Sequence, residues 1–176
     1  MREALETAYK AFGAVVIFSM VTVLAIAAVQ YYTTEGYTQV WPGGVLEVVG
    51  TTIITGANCT ALVADTSEER ALAISDALAN RTGERPDTWT SWATTLRSFN
   101  LTLETVQIQR FDGKFFYSDV LLRGLAEQEK LLRLDMRPSD AITLALRLGA
   151  PIYINSTLLQ ESGIDICKQS IQVPKG

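Results

Sequence analysis

The feature that most limits how this chain can fold is an uncharged run, "AFGAVVIFSMVTVLAIAAVQ", Ala11 to Gln30, whose only polar residues are Ser19, Thr22 and Gln30. Lipid offers backbone groups no partner, so such a run crosses a membrane only as a helix. At about 1.5 Å of rise per residue, twenty residues span the roughly 30 Å hydrocarbon layer. The sequence therefore predicts one transmembrane helix over 11–30, after a short segment 1–10. A cleaved signal peptide is the alternative, because "MREALETAYK" carries Arg2 and Lys10. The run is longer than a usual signal core, which favours a retained anchor. Arg2 and Lys10 precede it, and the next basic residue is Arg70. The basic bias predicts a cytoplasmic N-terminus with everything after the helix outside, in a single-pass protein of the cell membrane. At 100° per residue Ala14, Thr22 and Ala25 share one face, interrupted by Phe18. They are the expected contact with another membrane helix, or an incidental stripe of small residues.

Two further features bear on that topology. All four asparagines, Asn58, Asn80, Asn100 and Asn155, open N-x-S/T triplets: "NCT", "NRT", "NLT" and "NST". Random placement of Ser and Thr gives this about once in a thousand chains, and the triplet is the acceptor for N-glycans on translocated surfaces. Asparagine also marks turns, which explains the positions but not the hydroxyl residue that follows. The two cysteines, Cys59 and Cys167, are far apart in sequence, and on an outer surface they would form one disulfide; two buried thiols are the alternative. With no CxxC and no histidine in the chain, the thiols are not expected to bind a metal.

After the anchor, residues 31–44 read as a tether, with Tyr31, Tyr32, Tyr37 and Trp41 at the outer headgroup level and "WPGG" as its closing turn. A domain is expected over 45–166, with 167–176 as a tail. "VLEVV", "TTIIT" and "CTALVA" read as short strands. A helix follows Ser67, its expected cap, and another follows Pro86. "LETVQIQRF" and "KFFYSDVLLR" flank "DG", a type I′ hairpin signal. "KLLRLDM" is a strand, "SDAITLALRLG" a helix ended by Gly149 and Pro151, "PIYI" a strand and "STLLQESG" a short helix. Grouped strands with intervening helices make the class α+β, a mixed sheet with packed helices.

The order "RPDTW", "LETVQIQRFDGKFFYSDVLLR", "LLRLDMRPSDAITLALRLGAPIYI" and "LLQESG", from about Val45 to Gly163, resembles the bifunctional nuclease domain family, whose hallmark is an acidic D-x-R-P-S-D-A-I segment before a helix and a P-I-Y-V-type strand. The resemblance implies a compact α+β domain, an oligomer, and metal-dependent cleavage of DNA and RNA. Joined to the sequons, it suggests an archaeal type of cell envelope.

Phosphodiester hydrolysis needs an activated water and charge on the phosphate oxygens offset, commonly by carboxylate-held Mg²⁺ or Mn²⁺. Asp135 and Asp140 are the expected cation ligands, with Asp119 as a third. Arg137 would hold phosphate oxygens, so Asp135, Arg137 and Asp140 form the expected catalytic set. The same residues also make an ordinary helix start: Ser139 as cap, Asp140 at the positive end of the dipole, and Arg137 tying strand to helix through a carboxylate. Where the family typically reads R-P-x-T-H-D, this chain has Trp89 and Thr90 in place of His and Asp. Arg70 falls where an acidic residue usually opens the first long helix. Two Lys/Arg and two Asp/Glu lie in the first ten residues, which leaves 13 against 17 for the rest and no basic cluster, a poor footprint for nucleic acid.

Two functions are therefore expected: a membrane-anchored, outward-facing nuclease domain, or a non-catalytic glycosylated accessory or assembly subunit of a membrane or cell-surface complex. The partners are membrane lipid and a second copy or other membrane subunits, with nucleic acid as substrate in the first case only.

Overall fold

The computed structural model describes residues 34–40, 45–124 and 130–168. The expected anchor over 11–30 and its Ala14, Thr22 and Ala25 face lie outside the described residues. Among the described residues no helix is long and apolar enough to cross a membrane. From Gly36 onward the chain forms one unit.

In chain order the elements are β1 (Tyr37–Val40), β2 (Val45–Val49), β3 (Thr52–Ala57), β4 (Thr60–Asp65), α1 (Glu68–Leu78), α2 (Thr88–Ser98), β5 (Leu101–Phe111), β6 (Phe116–Gly124), β7 (Lys130–Met136), α3 (Pro138–Leu148), β8 (Ile152–Asn155), α4 (Ser156–Ser162) and β9 (Ile164–Asp165). The described strands form a five-stranded sheet, β1-β8-β5-β6-β7, and a four-stranded sheet, β2-β3-β4-β9. Among the described strands only β5 and β8 pair in parallel, across the connection that carries α3. The class is α+β, as expected.

Helix α3 is the centre of the core. Ser139, Ala141, Ile142, Thr143, Leu144 and Ala145 are all buried, because the helix packs on β5 and β6 and against α1 and α2. A helix apolar on nearly every side has to lie inside. Its buried Thr143 hydroxyl donates to the Ser139 carbonyl at 2.8 Å, which removes the cost of an unpaired polar group. Gly149, at φ 72°, ends the helix in the left-handed conformation, where glycine carries no steric penalty.

Several local expectations change. The stretch read as a tether contains β1, which pairs antiparallel with β8 from Tyr37 opposite Asn155 to Val40 opposite Ile152. Tyr37, Thr38 and Val40 suit a strand, and β8 supplies the partner. Ser139 does not cap α3: Arg137 occupies the cap position, Pro138 opens the helix, and Ser139 is buried in its first turn. Proline's fixed φ suits the first helical position and its missing N–H costs nothing there. The Asp112–Gly113 turn is not type I′, since Gly113 has positive φ and Asp112 does not. Instead the Asp112 carboxylate accepts from the amides of Lys114 at 2.9 Å and Phe115 at 2.8 Å, an Asx arrangement that closes a wider loop.

Cys59 and Cys167 are disulfide-bonded, with Cα atoms 5.2 Å apart and a sequence separation of 108. The bond ties the turn after β9 to the turn between β3 and β4, beside the β4–β9 pairing. Asn58, Asn80 and Asn100 are exposed and sit at φ 55°, 50° and 53°, a conformation asparagine tolerates better than most residues. Asn155 caps α4 by accepting from the amides of Thr157 and Leu158.

Candidate functional site: a pocket at three helix starts

The N-terminal turns of α1, α2 and α3 converge beside the end of β7. Between them lies a pocket of about 310 Å³, lined by Glu69 and Arg70 from α1, Thr88, Trp89 and Trp92 from α2, Asp140 and Leu144 from α3, and Met136 from β7. This is at the small end of the range for ligand sites.

Each start is held differently. At α2, Asp87 caps the helix and accepts from the Thr90 amide at 2.6 Å. Its other oxygen accepts from Arg147 at 3.3 Å, whose side chain is nearly buried. Burial pulls the Asp87 carboxyl upward, but the bonds from Thr90 and Arg147 outweigh it and leave the group below the ordinary carboxylate range. At α1, Ser67 stands at the cap position without a side-chain capping bond. Its hydroxyl accepts instead from the Arg70 guanidinium at 3.1 Å. The same guanidinium reaches across to Asp140, Nε to Oδ1, at 3.3 Å. Asp140 thus has two favourable partners, the positive end of α3 and a full cation.

The expected catalytic set does not assemble here. Asp135 and Met136 are consecutive strand residues and so point to opposite faces of the sheet. Met136 lines the pocket with Asp140; Asp135 therefore faces away from it. Register carries the point across the sheet: Gln39, Tyr153, Gln107, Asp119 and Asp135 lie directly opposite one another, strand to strand. This polar row runs across the face that α3 does not cover, flanked by apolar rows such as Val40, Ile152, Val106, Val120 and Leu134. Asp119 accepts from Gln109 at 3.1 Å and pairs with Arg133 at 3.4 Å. Tyr37 donates to Gln109 in the same network; burial raises its phenol pKa, although the bond to Gln109 pulls the other way.

Asp140 is thus on one side of the sheet, and Asp119 and Asp135 on the other. Among the described residues no three Asp, Glu, His or Cys side chains are grouped to hold a metal ion. Arg137 is exposed and makes no side-chain ion pair or hydrogen bond among the described residues. The expectation that it ties strand to helix is corrected: the carboxylate of Asp140 pairs instead with Arg70, 70 residues away, and that contact joins helix α1 to helix α3. No local pattern announces such a contact, although strand alternation alone separates Asp135 from the pocket.

Two of the three positions at which the sequence departs from the family pattern meet in this pocket. Arg70 stands where an acid is usual, Trp89 where a histidine is usual, and both line it beside Asp140. A divalent cation needs several oxygen or nitrogen ligands. The pocket instead offers Asp140 already paired to a guanidinium, Glu69, and an apolar wall of two indoles, Met136 and Leu144. These residues do not fit a bound Mg²⁺ or Mn²⁺.

Comparison with known proteins gives the wider setting. Over 68 residues the chain is 31% identical to an uncharacterized protein of Mycobacterium tuberculosis (strain H37Rv), covering 39% of this chain and 38% of that one. Over 61 residues it is 31% identical to Bifunctional nuclease 1 of Oryza sativa subsp. japonica, covering 35% of this chain and 18% of the rice protein. A Bifunctional nuclease of Oryza minuta matches to the same extent. The matched stretches thus span well under half of these relatives' own lengths. The profile of the bifunctional nuclease domain matches residues 58–167, more than half of the 176 residues, and with the α+β fold and the D-x-R-P-S-D-A-I corner in place, this chain belongs to the bifunctional nuclease domain family.

Proposed function

We propose that this protein is a membrane-anchored, outward-facing member of the family whose domain serves binding and assembly in a membrane or cell-surface complex, not metal-dependent cleavage. Membership supports a nuclease-like function at the level of the family; the finer reading concerns this chain's own pocket. The observation that carries it is the Arg70–Asp140 pair at 3.3 Å, in which a protein cation already occupies the motif carboxylate that faces the pocket. Anchoring is supported by the uncharged run 11–30, and an outer location by the four sequons and the Cys59–Cys167 bond, since disulfides persist in oxidising compartments.

One observation favours a second reading, a metal-dependent nuclease centred elsewhere: Asp119 and Asp135 face each other directly across β6 and β7. The test is cleavage of single-stranded DNA and RNA by the full chain in detergent, with Mg²⁺ or Mn²⁺, beside Asp140→Asn and Asp135→Asn. No cleavage by the parent is expected. Cleavage abolished by Asp140→Asn would overturn the reading in favour of the pocket, and cleavage abolished by Asp135→Asn in favour of the opposite face.

A further inference from the structure

The β7 strand is the edge of the five-stranded sheet and pairs only with β6 among the described residues. Folded chains usually blunt such an edge with a proline, a bulge or a cover, because its open backbone groups recruit another strand. Among the described residues this edge has no proline, bulge or cover: its ladder with β6 runs without a register shift from Lys130 to Met136, and Leu131 and Leu132 are 56% and 49% exposed. The device left to guard it is charge, Arg133 and Asp135, and its pattern selects a partner.

The charges on the strand are unbalanced in a specific way. Asp135 stands directly opposite Asp119, and like charges in that relation repel. Asp119 is relieved by Arg133. Asp135 is exposed and makes no ion pair or side-chain hydrogen bond among the described residues. The missing cation is present in the strand itself. Two copies of β7 laid antiparallel about an axis through Leu134 bring Arg133 of each opposite Asp135 of the other. The same register sets Leu134 against Leu134 and Leu132 against Met136, which extends the apolar row on the core side from one sheet into the next. An axis through Arg133 instead would oppose Arg133 to Arg133 and Leu131 to Asp135.

We propose that a second copy of this chain pairs edge to edge through β7, in the register centred on Leu134, so that the two five-stranded sheets become continuous. This rests on the assembly reading above and supplies its partner; the cleavage assay does not depend on association, so the two fail separately.

The charge pattern permits a test with its own control. In Arg133→Asp, two aspartates of each copy face two of the other; in Asp135→Arg, arginines do. Each variant alone should associate about tenfold or more weakly than the parent, since two cross-strand pairs turn from attractive to repulsive. Mixed, the two variants are complementary at both positions and should associate as the parent does. Sedimentation of the full chain in density-matched detergent reads all four samples, and circular dichroism checks that each variant is folded. A Leu134→Cys variant should form an intermolecular disulfide on mild oxidation, because Leu134 lies on the axis. A monomeric parent, variants that self-associate like the parent, a mixture no tighter than its components, or parent association lost in EDTA would each overturn the proposal.

Discussion

Reversing one charge should give the pocket back its appetite for a cation. In Arg70→Glu a carboxylate replaces the guanidinium that lies 3.3 Å from Asp140, where the two side chains are 28% and 24% exposed. Partly exposed pairs of this kind are worth about 0–1 kcal/mol, and a like-charge pair costs a similar amount, so without metal the variant should lose up to about 2 kcal/mol. For a domain of this size that lowers Tm by up to about 8 °C. With Glu69, Asp140 and the new carboxylate on one pocket, a divalent cation should then restore stability. At about ten times its dissociation constant a ligand adds about 1.4 kcal/mol. The assay is thermal unfolding of parent and variant in EDTA and in Mg²⁺ or Mn²⁺. The parent should be indifferent to the cation and the variant should recover most of its loss. A parent stabilised as strongly as the variant, or a variant destabilised yet blind to both cations, would refute the reasoning.

Three other outcomes follow from single observations. Reduction of Cys59–Cys167, which spans 108 residues, should remove up to about 4–5 kcal/mol in the chain-entropy model; thermal unfolding with and without reductant, beside intact mass, checks it. Asp112 is held down to about 2 by the Phe115 amide, the Tyr117 hydroxyl and the Lys114 amide. Its contribution to the hairpin is therefore complete above the unfolded carboxyl value of about 3.9 and fades as pH falls towards 2, which a pH titration of the Phe115 amide resonance should follow. The native protein should carry glycans at several of Asn58, Asn80, Asn100 and Asn155, seen as a mass loss on deglycosylation; a bare polypeptide mass from the native host would remove the expectation of an outer surface.

What the sequence determined by itself was the local and the periodic. Proline and Gly149 bracketed α3, alternation placed β5, β6 and β7, and asparagines marked three left-handed turns, because these depend on the sterics of a few adjacent residues. Strand parity was also legible, and it already forbids Asp135 and Met136 from facing one site. The family corner could be read for the same reason, as a contiguous motif. Tertiary structure decided what depends on distant residues meeting. It turned 37–40 into a strand by giving it β8, and brought Arg70 to Asp140 across 70 positions. The candidate catalytic residues were close in the chain and were separated in space by a sheet, whereas the pair that fills the pocket was far apart in the chain and joined by helix packing. Nearness along a strand says little about chemistry, since each step of one residue reverses the face, and only the packing of three helix starts determines which side chains share a pocket.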